Sequence, residues 1–465
     1  SLRFQYMEDA RKYHPPHGWK AGEKIWIDDD AATSFTQGQP YETGTHLWKV
    51  YEKQFPYALT QQLEKNTLGT TANIGYGKSV KMLDDGENSI VVGSDLYANL
   101  SVSTNTGLID IFDKNAAGEW VNTLKITPNG ANTFSFGYHL DTAVHTDSTI
   151  DGYSKTIAVG APHSTGASAG ANVGLVYIYN QTTGSTTWDQ GQIVVGNVNA
   201  TGDHFGFSFA FDEFGHWLYV GAPGNDRCYV YALDRYITRQ SGNVTVSSGT
   251  TATVPFTPSV SGDANSLLVT SANRTYIPNI DYTLAGTTLT FTETFSTSTT
   301  LTIKQQPYFR LLTTIESTDV GCPAGSEFGY AIDASLDGAQ LGVGAPNATV
   351  NVAVFSDGIS RSVAVGSATA GVVSYEEFTG SGAVYVIDRI IEAFNSTTST
   401  VYTTVEPIED VVRVTVDGVE MPPTEYTTSA GSNTVTLNVP LGIGKVVNIS
   451  LLYTSDAADD TPCVD

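Results

Sequence analysis

Short runs in which apolar residues alternate with small or polar ones recur along this chain of 465 residues, separated by Gly, Pro, Asn and Asp. Period-two alternation between turn residues predicts β-strands joined by tight turns, not helices. Four of the runs open on one motif: Gly75-Tyr76-Gly77-Lys78-Ser79, Phe136-Gly137-Tyr138, Phe205-Gly206-Phe207-Ser208 and Phe328-Gly329-Tyr330-Ala331. Each is followed by an apolar run: Ile90-Val91-Val92-Gly93, Ile157 to Pro162, Leu218 to Pro223 and Leu341 to Pro346, the last three ending in Gly-Ala-Pro. A Tyr-rich run then recurs, as in Val176-Tyr177-Ile178-Tyr179, Cys228-Tyr229-Val230-Tyr231 and Val384-Tyr385-Val386-Ile387, with weaker copies at Trp48 to Tyr51 and Leu108 to Phe112. A fourth element pairs an aromatic with an aliphatic residue: Tyr57 to Leu63, Trp120 to Leu124, Trp188 to Val194 and Phe309 to Leu312.

The spacing makes this a repeat. First-motif glycines step by 60 (Gly77 to Gly137), 69 (to Gly206) and 123 (to Gly329), and second-motif glycines by 67, 61 and 123 (Gly93, Gly160, Gly221, Gly344). One doubled step in both series places an insertion inside one unit. In Phe205 to Phe211 the alternation predicts a strand with bulky side chains on one face and Gly, Ser and Ala on the other. A strand with a stripped face needs a close neighbour, which the innermost strand of a propeller blade has. Pro after Gly-Ala ends the second strand, because it cannot donate to a ladder.

The order Phe-Gly-x-Ser, Val-Gly-Ala-Pro, Gly-x-Val-Tyr-x-Tyr resembles the FG-GAP repeat of integrin-type β-propellers over residues 46–235 and 309–390; Val92-Gly93-Ser94 departs from it. The resemblance implies an all-β fold, a β-propeller of four-stranded antiparallel blades. Two Thr/Ser/Val stretches interrupt it and align with each other. Leu268-Val269-Thr270, Pro278 to Thr283 and Leu289-Thr290-Phe291 answer to Val414-Thr415-Val416, Pro422 to Thr427 and Val435-Thr436-Leu437. They read as small β-sandwich modules inserted between the third and fourth strands of a blade, and their Pro-x-x-acid-Tyr-Thr pattern resembles modules of phage tail and tail-fibre proteins. The organisation expected is an N-terminal segment with short strands (1–45), propeller blades (46–235), an inserted module (236–308), a continuing blade (309–390), a second, truncated module (391–450) and a non-native tail (451–465). Leu451 to Asp459 resembles a translated sequencing-library adapter, so the natural chain is expected to continue elsewhere after about Ser450.

Composition narrows the partners. With 48 acidic and 23 basic residues the net charge is 48 − 23 = 25 negative, although only 15% of residues are charged. Scarce Lys and Arg leave no basic footprint for nucleic acid or an anionic bilayer, and no apolar run approaches a membrane span. Three cysteines (Cys228, Cys322, Cys463) make no disulfide framework and lack metal-ligand spacing.

The FG-GAP resemblance implies calcium in the turn between strands one and two. Asp147, Thr149 and Asp151, and Asp333, Ser335 and Asp337, match its first, third and fifth positions, each set followed by Gly (Gly152, Gly338). The ninth position, an acid in the family, is Lys155 or Leu341. Hard cations take six to eight oxygens, and Asp-Gly is equally a hairpin signal. Asp28-Asp29-Asp30 reads as a solvated turn. His163, His204 and His216 fall in loops with no nucleophile elbow beside them, and most Tyr and Phe are expected in the core. The function expected on this basis is a non-enzymatic structural or adhesion protein, a phage tail or tail-fibre component, in a virion or extracellular. Its partners would be a host cell-surface protein or glycan and other virion proteins, with no nucleic acid and no membrane insertion. The alternatives are a propeller-scaffold polysaccharide-degrading enzyme and a bacterial surface adhesin.

Overall fold

A computed structural model describes residues 2–4, 24–28, 48–52, 61–63, 74–83, 88–96, 106–128, 133–145, 152–165, 172–260, 262–355, 360–361, 372–388, 391–397, 399–405, 410–417, 419–428 and 432–452. The chain divides into two units, Ser1–Glu64 and Lys65–Asp465. In the first, β1 (Leu2–Phe4) runs parallel to β2 (Lys24–Asp28), which pairs antiparallel with β3 (Trp48–Glu52).

The second unit is built of antiparallel sheets in chain order. β4 (Tyr76–Met82), β5 (Ser89–Ser94), β6 (Leu108–Lys114) and β7 (Trp120–Ile126) form one four-stranded meander. β8 (Leu140–Val144), β9 (Tyr153–Ala161), β10 (Leu175–Thr182) and β11 (Trp188–Val194) form the next. β12 (Phe209–Phe211), β13 (Trp217–Ala222) and β14 (Arg227–Asp234) begin a third. Seven strands then intervene: β15 (Gln240–Val246), β16 (Gly249–Thr253), β17 (Leu267–Ser271), β18 (Arg274–Tyr276), β19 (Tyr282–Ala285), β20 (Thr288–Phe295) and β21 (Thr299–Gln305). The chain returns as β22 (Tyr308–Glu316), which pairs with β14 and completes the third sheet. β23 (Ala331–Ala334) and β24 (Gln340–Ala345) start a fourth; β25 (Val350–Phe355), β26 (Ser360–Arg361) and β27 (Val372–Phe378) make a sheet of their own, and β28 (Ala383–Asp388) rejoins β24. A second set of seven follows: β29 (Ile391–Asn395), β30 (Val401–Thr403), β31 (Asp410–Val416), β32 (Val419–Glu420), β33 (Tyr426–Thr428), β34 (Thr434–Leu437) and β35 (Val446–Leu452).

The two sets share one topology. Counting strands one to seven within each, the sheet orders are 1-7-3-4 and 2-6-5 in both, and in each the two sheets enclose one apolar cluster, around Tyr282, Leu289 and Leu301 in the first and Val414, Val435 and Ile449 in the second. The Arg235 guanidinium, 4% exposed, pairs with Glu420 at 3.1 Å and ties the second set to the root of the first.

The cores of the sheet series lie between consecutive sheets. Val91, Ile109 and Ile111 of the first pack against Ile157, Val159 and Tyr177 of the second. Ile178 and Val194 pack on Leu218 and Tyr229 of the third, and Tyr219 and Cys228 on Val343 of the fourth. Phe136, Phe205 and Phe328 are each sealed in one of these layers, and fully burying such a ring contributes roughly 1.5–3 kcal/mol. Three four-stranded antiparallel sheets and a three-stranded fourth, stacked face to face in sequence, make the fold all-β and propeller-like; a closed ring is not formed among the described residues.

One local expectation changes. Phe-Gly is a turn ahead of the first strand in the second, third and fourth sheets, whose first strands begin only at Leu140, Phe209 and Ala331. The residue before each motif aromatic has positive φ (Gly75 +66°, Ser135 +57°, His204 +55°, Glu327 +57°), and so does the motif glycine (+80° to +94°). Two left-handed residues flanking the aromatic turn it inward and its successor outward, which strand alternation does not anticipate. The close approach that the stripped face called for is present. A Cβ on Gly93, Gly160 or Gly221 would lie 2.3, 2.4 or 2.0 Å from the motif-glycine carbonyl of the next sheet. Hydrogen bonds cross at the same contacts, from Ser79 Oγ to the Gly137 carbonyl (2.7 Å) and from Ser208 Oγ to the Gly329 carbonyl (2.8 Å). Cys228 and Cys322 are both buried and free. No helix among the described residues is long and apolar enough to cross a membrane.

Candidate functional site

The first strands of successive sheets gather along one edge. Thr142 Oγ1 donates to the Met82 carbonyl (2.8 Å), Phe211 N donates to Asp141 Oδ2 (2.7 Å), and Lys81 pairs with Asp141 at 2.8 Å. Where this edge meets the ends of the second strands, the outward residue after each motif glycine projects: Lys78, Tyr138, Phe207 and Tyr330, one per sheet. Tyr138 and Phe207 have ring centroids 5.0 Å apart and Phe207 and Tyr330 4.7 Å, both tilted at 47°. Lys78 Nζ stands 4.2 Å from the Tyr138 centroid. Unlike the buried Phe136, Phe205 and Phe328, these rings are partly open, and Tyr330 is 44% exposed. An ammonium and three rings in a row make a platform for the flat C–H face of a ring ligand.

Polar groups border it. His163, which follows Gly-Ala-Pro, meets Tyr138 edge-on at 5.8 Å and His204 at 5.2 Å, and its Nδ1 is 3.0 Å from Ser135 Oγ. Burial lowers the His163 pKa below the ordinary 6.5, with His204 adding to the effect, so the imidazole is neutral near pH 7. Asp95 stands where the other sheets have the proline of Gly-Ala-Pro; burial raises its pKa, only partly offset by Lys78. Burial also raises that of the Tyr138 phenol. Asp95, Lys78 and His163 are mutual electrostatic neighbours. Asp203 is occupied differently, accepting from Ala200 N at 2.8 Å and from the Asn225 amide. The site therefore joins a hydrophobic platform, a cation, a neutral imidazole and a carboxyl drawn toward neutrality, which is the environment of proton-transfer groups.

Of the residues singled out for calcium, only Asp333, Ser335 and Asp337 lie among the described residues. Asp147, Thr149 and Asp151 fall outside the described residues. Asp333, Ser335 and Asp337 sit at the β23–β24 turn, at the other end of the sheet. There Asp337 Oδ1 accepts from Ser335 Oγ (2.6 Å) and Ala339 N (3.0 Å), Ser335 Oγ accepts from Gln340 N (2.9 Å), and Asp333 Oδ1 accepts from Ala334 N (3.1 Å). These side chains serve the turn itself, and among the described residues no group of three or more His, Cys, Asp or Glu could hold a metal ion. His216 is buried at the turn before β13, remote from His163 and His204. Asp28 ends β2, while Asp29 and Asp30 fall outside the described residues. The row Lys78–Tyr138–Phe207–Tyr330 was not visible as a site in the sequence, although its register, one residue after each motif glycine, was.

No family model matches the chain, and no curated protein matches it. Solved structures that do include the periplasmic gluconolactonase of Pseudomonas aeruginosa (14% identity, TM-score 0.26, covering 82% of this chain and 90% of that one), a protein of Bacteroides uniformis assigned as a 6-phosphogluconolactonase (13%, 0.23, 64% and 71%) and a protein of Lactobacillus plantarum (12%, 0.23, 66% and 73%). Such low TM-scores support no inference about this chain's activity. None of the three is named as an integrin-type or phage protein, and the FG-GAP family assignment, the phage tail or adhesion function and the non-enzymatic reading are corrected on that ground. The physical reason is visible in the packing. Phe-Gly and Gly-Ala-Pro mark where one sheet's backbone rests on the next, a requirement of converging sheets that carries no information about a ligand.

Proposed function

We propose that the chain is a hydrolase acting on a sugar-like ring outside the cell, with the ring stacked on Tyr138, Phe207 and Tyr330. The observation that carries the reading is the row of partly open aromatics, one from each of three successive sheets, bordered by Lys78, His163 and Asp95. A glycan partner fits this surface because aromatic faces take sugar C–H groups while the bordering polar groups take hydroxyls. One carboxyl, one neutral imidazole and one ammonium suit ester hydrolysis. His163 would take a proton from the attacking water, Lys78 would face the oxyanion that develops at the ester carbonyl, and Asp95 would return a proton to the leaving alkoxide as the C–O bond breaks. The finer architecture belongs to the same proposal: a closed β-propeller, carrying the two seven-stranded sets as β-sandwich modules inserted after third strands.

The test is hydrolysis of sugar lactones followed by proton release, with saturation-transfer NMR for binding. Replacing Tyr138 by Ala should weaken binding about tenfold or more, the equivalent of roughly 1.4 kcal/mol, and H163Q should remove turnover while binding persists. Binding by Y138A equal to the native protein's would refute the platform; turnover by H163Q would refute the chemistry.

A further inference from the structure

At the end of the sheets remote from the aromatic row, a cleft of about 700 Å³ opens between the outer strands of the first and second sheets. Its size lies within the roughly 300–1,000 Å³ of small-ligand sites. Its lining differs from that of the row. From the first sheet come Ser89, Asp113 and Thr123, and from the second Lys155, Gln181 and Trp188. Two hydroxyls hold the Asp113 carboxylate, Ser89 Oγ donating to Oδ1 and Thr123 Oγ1 to Oδ2. A carboxylate has about four acceptor sites, so two remain for hydroxyl donors from a ligand, in an orientation fixed beforehand. The Trp188 indole rests on the apolar layer between the sheets and presents its remaining surface to the cleft. The β10–β11 turn adds further hydroxyls, with Ser185 and Thr187 bonded to each other at 2.7 Å.

We propose that this cleft is a second ligand site, for a neutral saccharide of one or two rings, independent of the hydrolytic site. The chemistry selects the class. One carboxylate and one ammonium cancel, which disfavours a phosphate or an organic anion, while hydroxyls, an amide and a pre-oriented carboxylate match vicinal hydroxyl groups. The indole supplies the apolar face that a pyranose ring needs. The glycan platform lies at the opposite end of the sheets, so the two sites can be emptied separately.

The experiment is calorimetric titration of the full chain with methyl glycosides of glucose, galactose and mannose, and with maltose and cellobiose, in the native protein and in D113N, Q181A and Y138A. A saturable component of binding is expected for at least one of these sugars that D113N weakens about tenfold or more and that persists in Y138A. Trp188 fluorescence should shift on binding and the shift should vanish in W188F. Should D113N melt at lower temperature, Q181A melting like the native protein decides in its place. Absence of binding by all five sugars, or native-like binding by D113N and Q181A, overturns the cleft. Binding lost in Y138A but kept in D113N assigns the sugar to the aromatic row and likewise overturns it.

Discussion

Replacing Gly221 by Ala should separate the third sheet from the fourth. Gly221 lies on β13 with ordinary φ, so an added methyl meets no backbone penalty of its own. The obstacle is what it faces: its Cβ would stand 2.0 Å from the Gly329 carbonyl oxygen and 2.8 Å from Ser208 Oγ. Ordinary contact begins near 3.4 Å, so the sheets must part by about 3.4 − 2.0 = 1.4 Å at a point sealed on both sides by buried side chains. Overpacking of this kind costs about 1–3 kcal/mol. The displaced Ser208 Oγ hydrogen bond to the Gly329 carbonyl, 2.8 Å in the native protein, adds about 1 kcal/mol. A loss near 3 kcal/mol corresponds to a fall in melting temperature of roughly 3–4 °C in a unit spanning Lys65–Asp465, whose unfolding entropy is about 0.8 kcal/mol/K. The assay is thermal and urea unfolding followed by circular dichroism, with G118A as the comparison. Gly118 has φ +82° with nothing within 4 Å of an added Cβ, so its substitution carries only the left-handed cost of roughly 1–2 kcal/mol. Equal destabilisation by the two variants would refute the reasoning that backbone contact between sheets explains the repeated glycines.

Three further outcomes are expected. G344A reports on ring closure: this glycine repeats the position of Gly221 but has only Ala331 near its Cβ, at 3.2 Å or more, while Val384 and Val386 beside it are 73% and 69% exposed; a closed ring makes G344A as costly as G221A, and a variant that melts like the native protein argues for an open series. For pH, a lowered His163 pKa means the folded state releases that proton more readily than the unfolded one, so this group's contribution to stability rises as pH climbs from the folded value to 6.5; turnover should fall on acidification with a midpoint below 6.5, and a midpoint at or above 6.5 contradicts His163 as base. Calcium at Asp333, Ser335 and Asp337 remains a proposal that requires the turn to surrender its bonds to Ala339 and Gln340; it expects chelation to lower the melting temperature of the native protein and not of D337N, and identical melting with and without chelator retires it.

Strand positions were legible because each depends on a few adjacent residues. Trp188 to Val194, read as an aromatic-aliphatic element, is β11 residue for residue, and Gly-Ala-Pro ends β9, β13 and β24 because proline has no donor for the next ladder bond. The doubled step of 123 residues likewise marks where seven strands separate β14 from β22. The Phe-Gly turn was misread as strand, since Phe-x-Phe spacing looks the same whether a chain is extended or bent at a left-handed glycine.

The functional reading failed for a related reason. A repeated motif records what every repeat shares, and here that is the backbone contact between sheets. The residues that differ from sheet to sheet, Lys78 against Tyr138 and Asp95 near His163, are noise to a repeat search and become a site only when the sheets converge. The sequence by itself determined an all-β chain of repeated strands interrupted by two inserted stretches alike in pattern, because periodicity and turn chemistry are local. Only the tertiary structure decided which side chains from residues as far apart as 78 and 330 share one surface, because that depends on paired positive φ angles and on glycines close enough to let one sheet lie against the next.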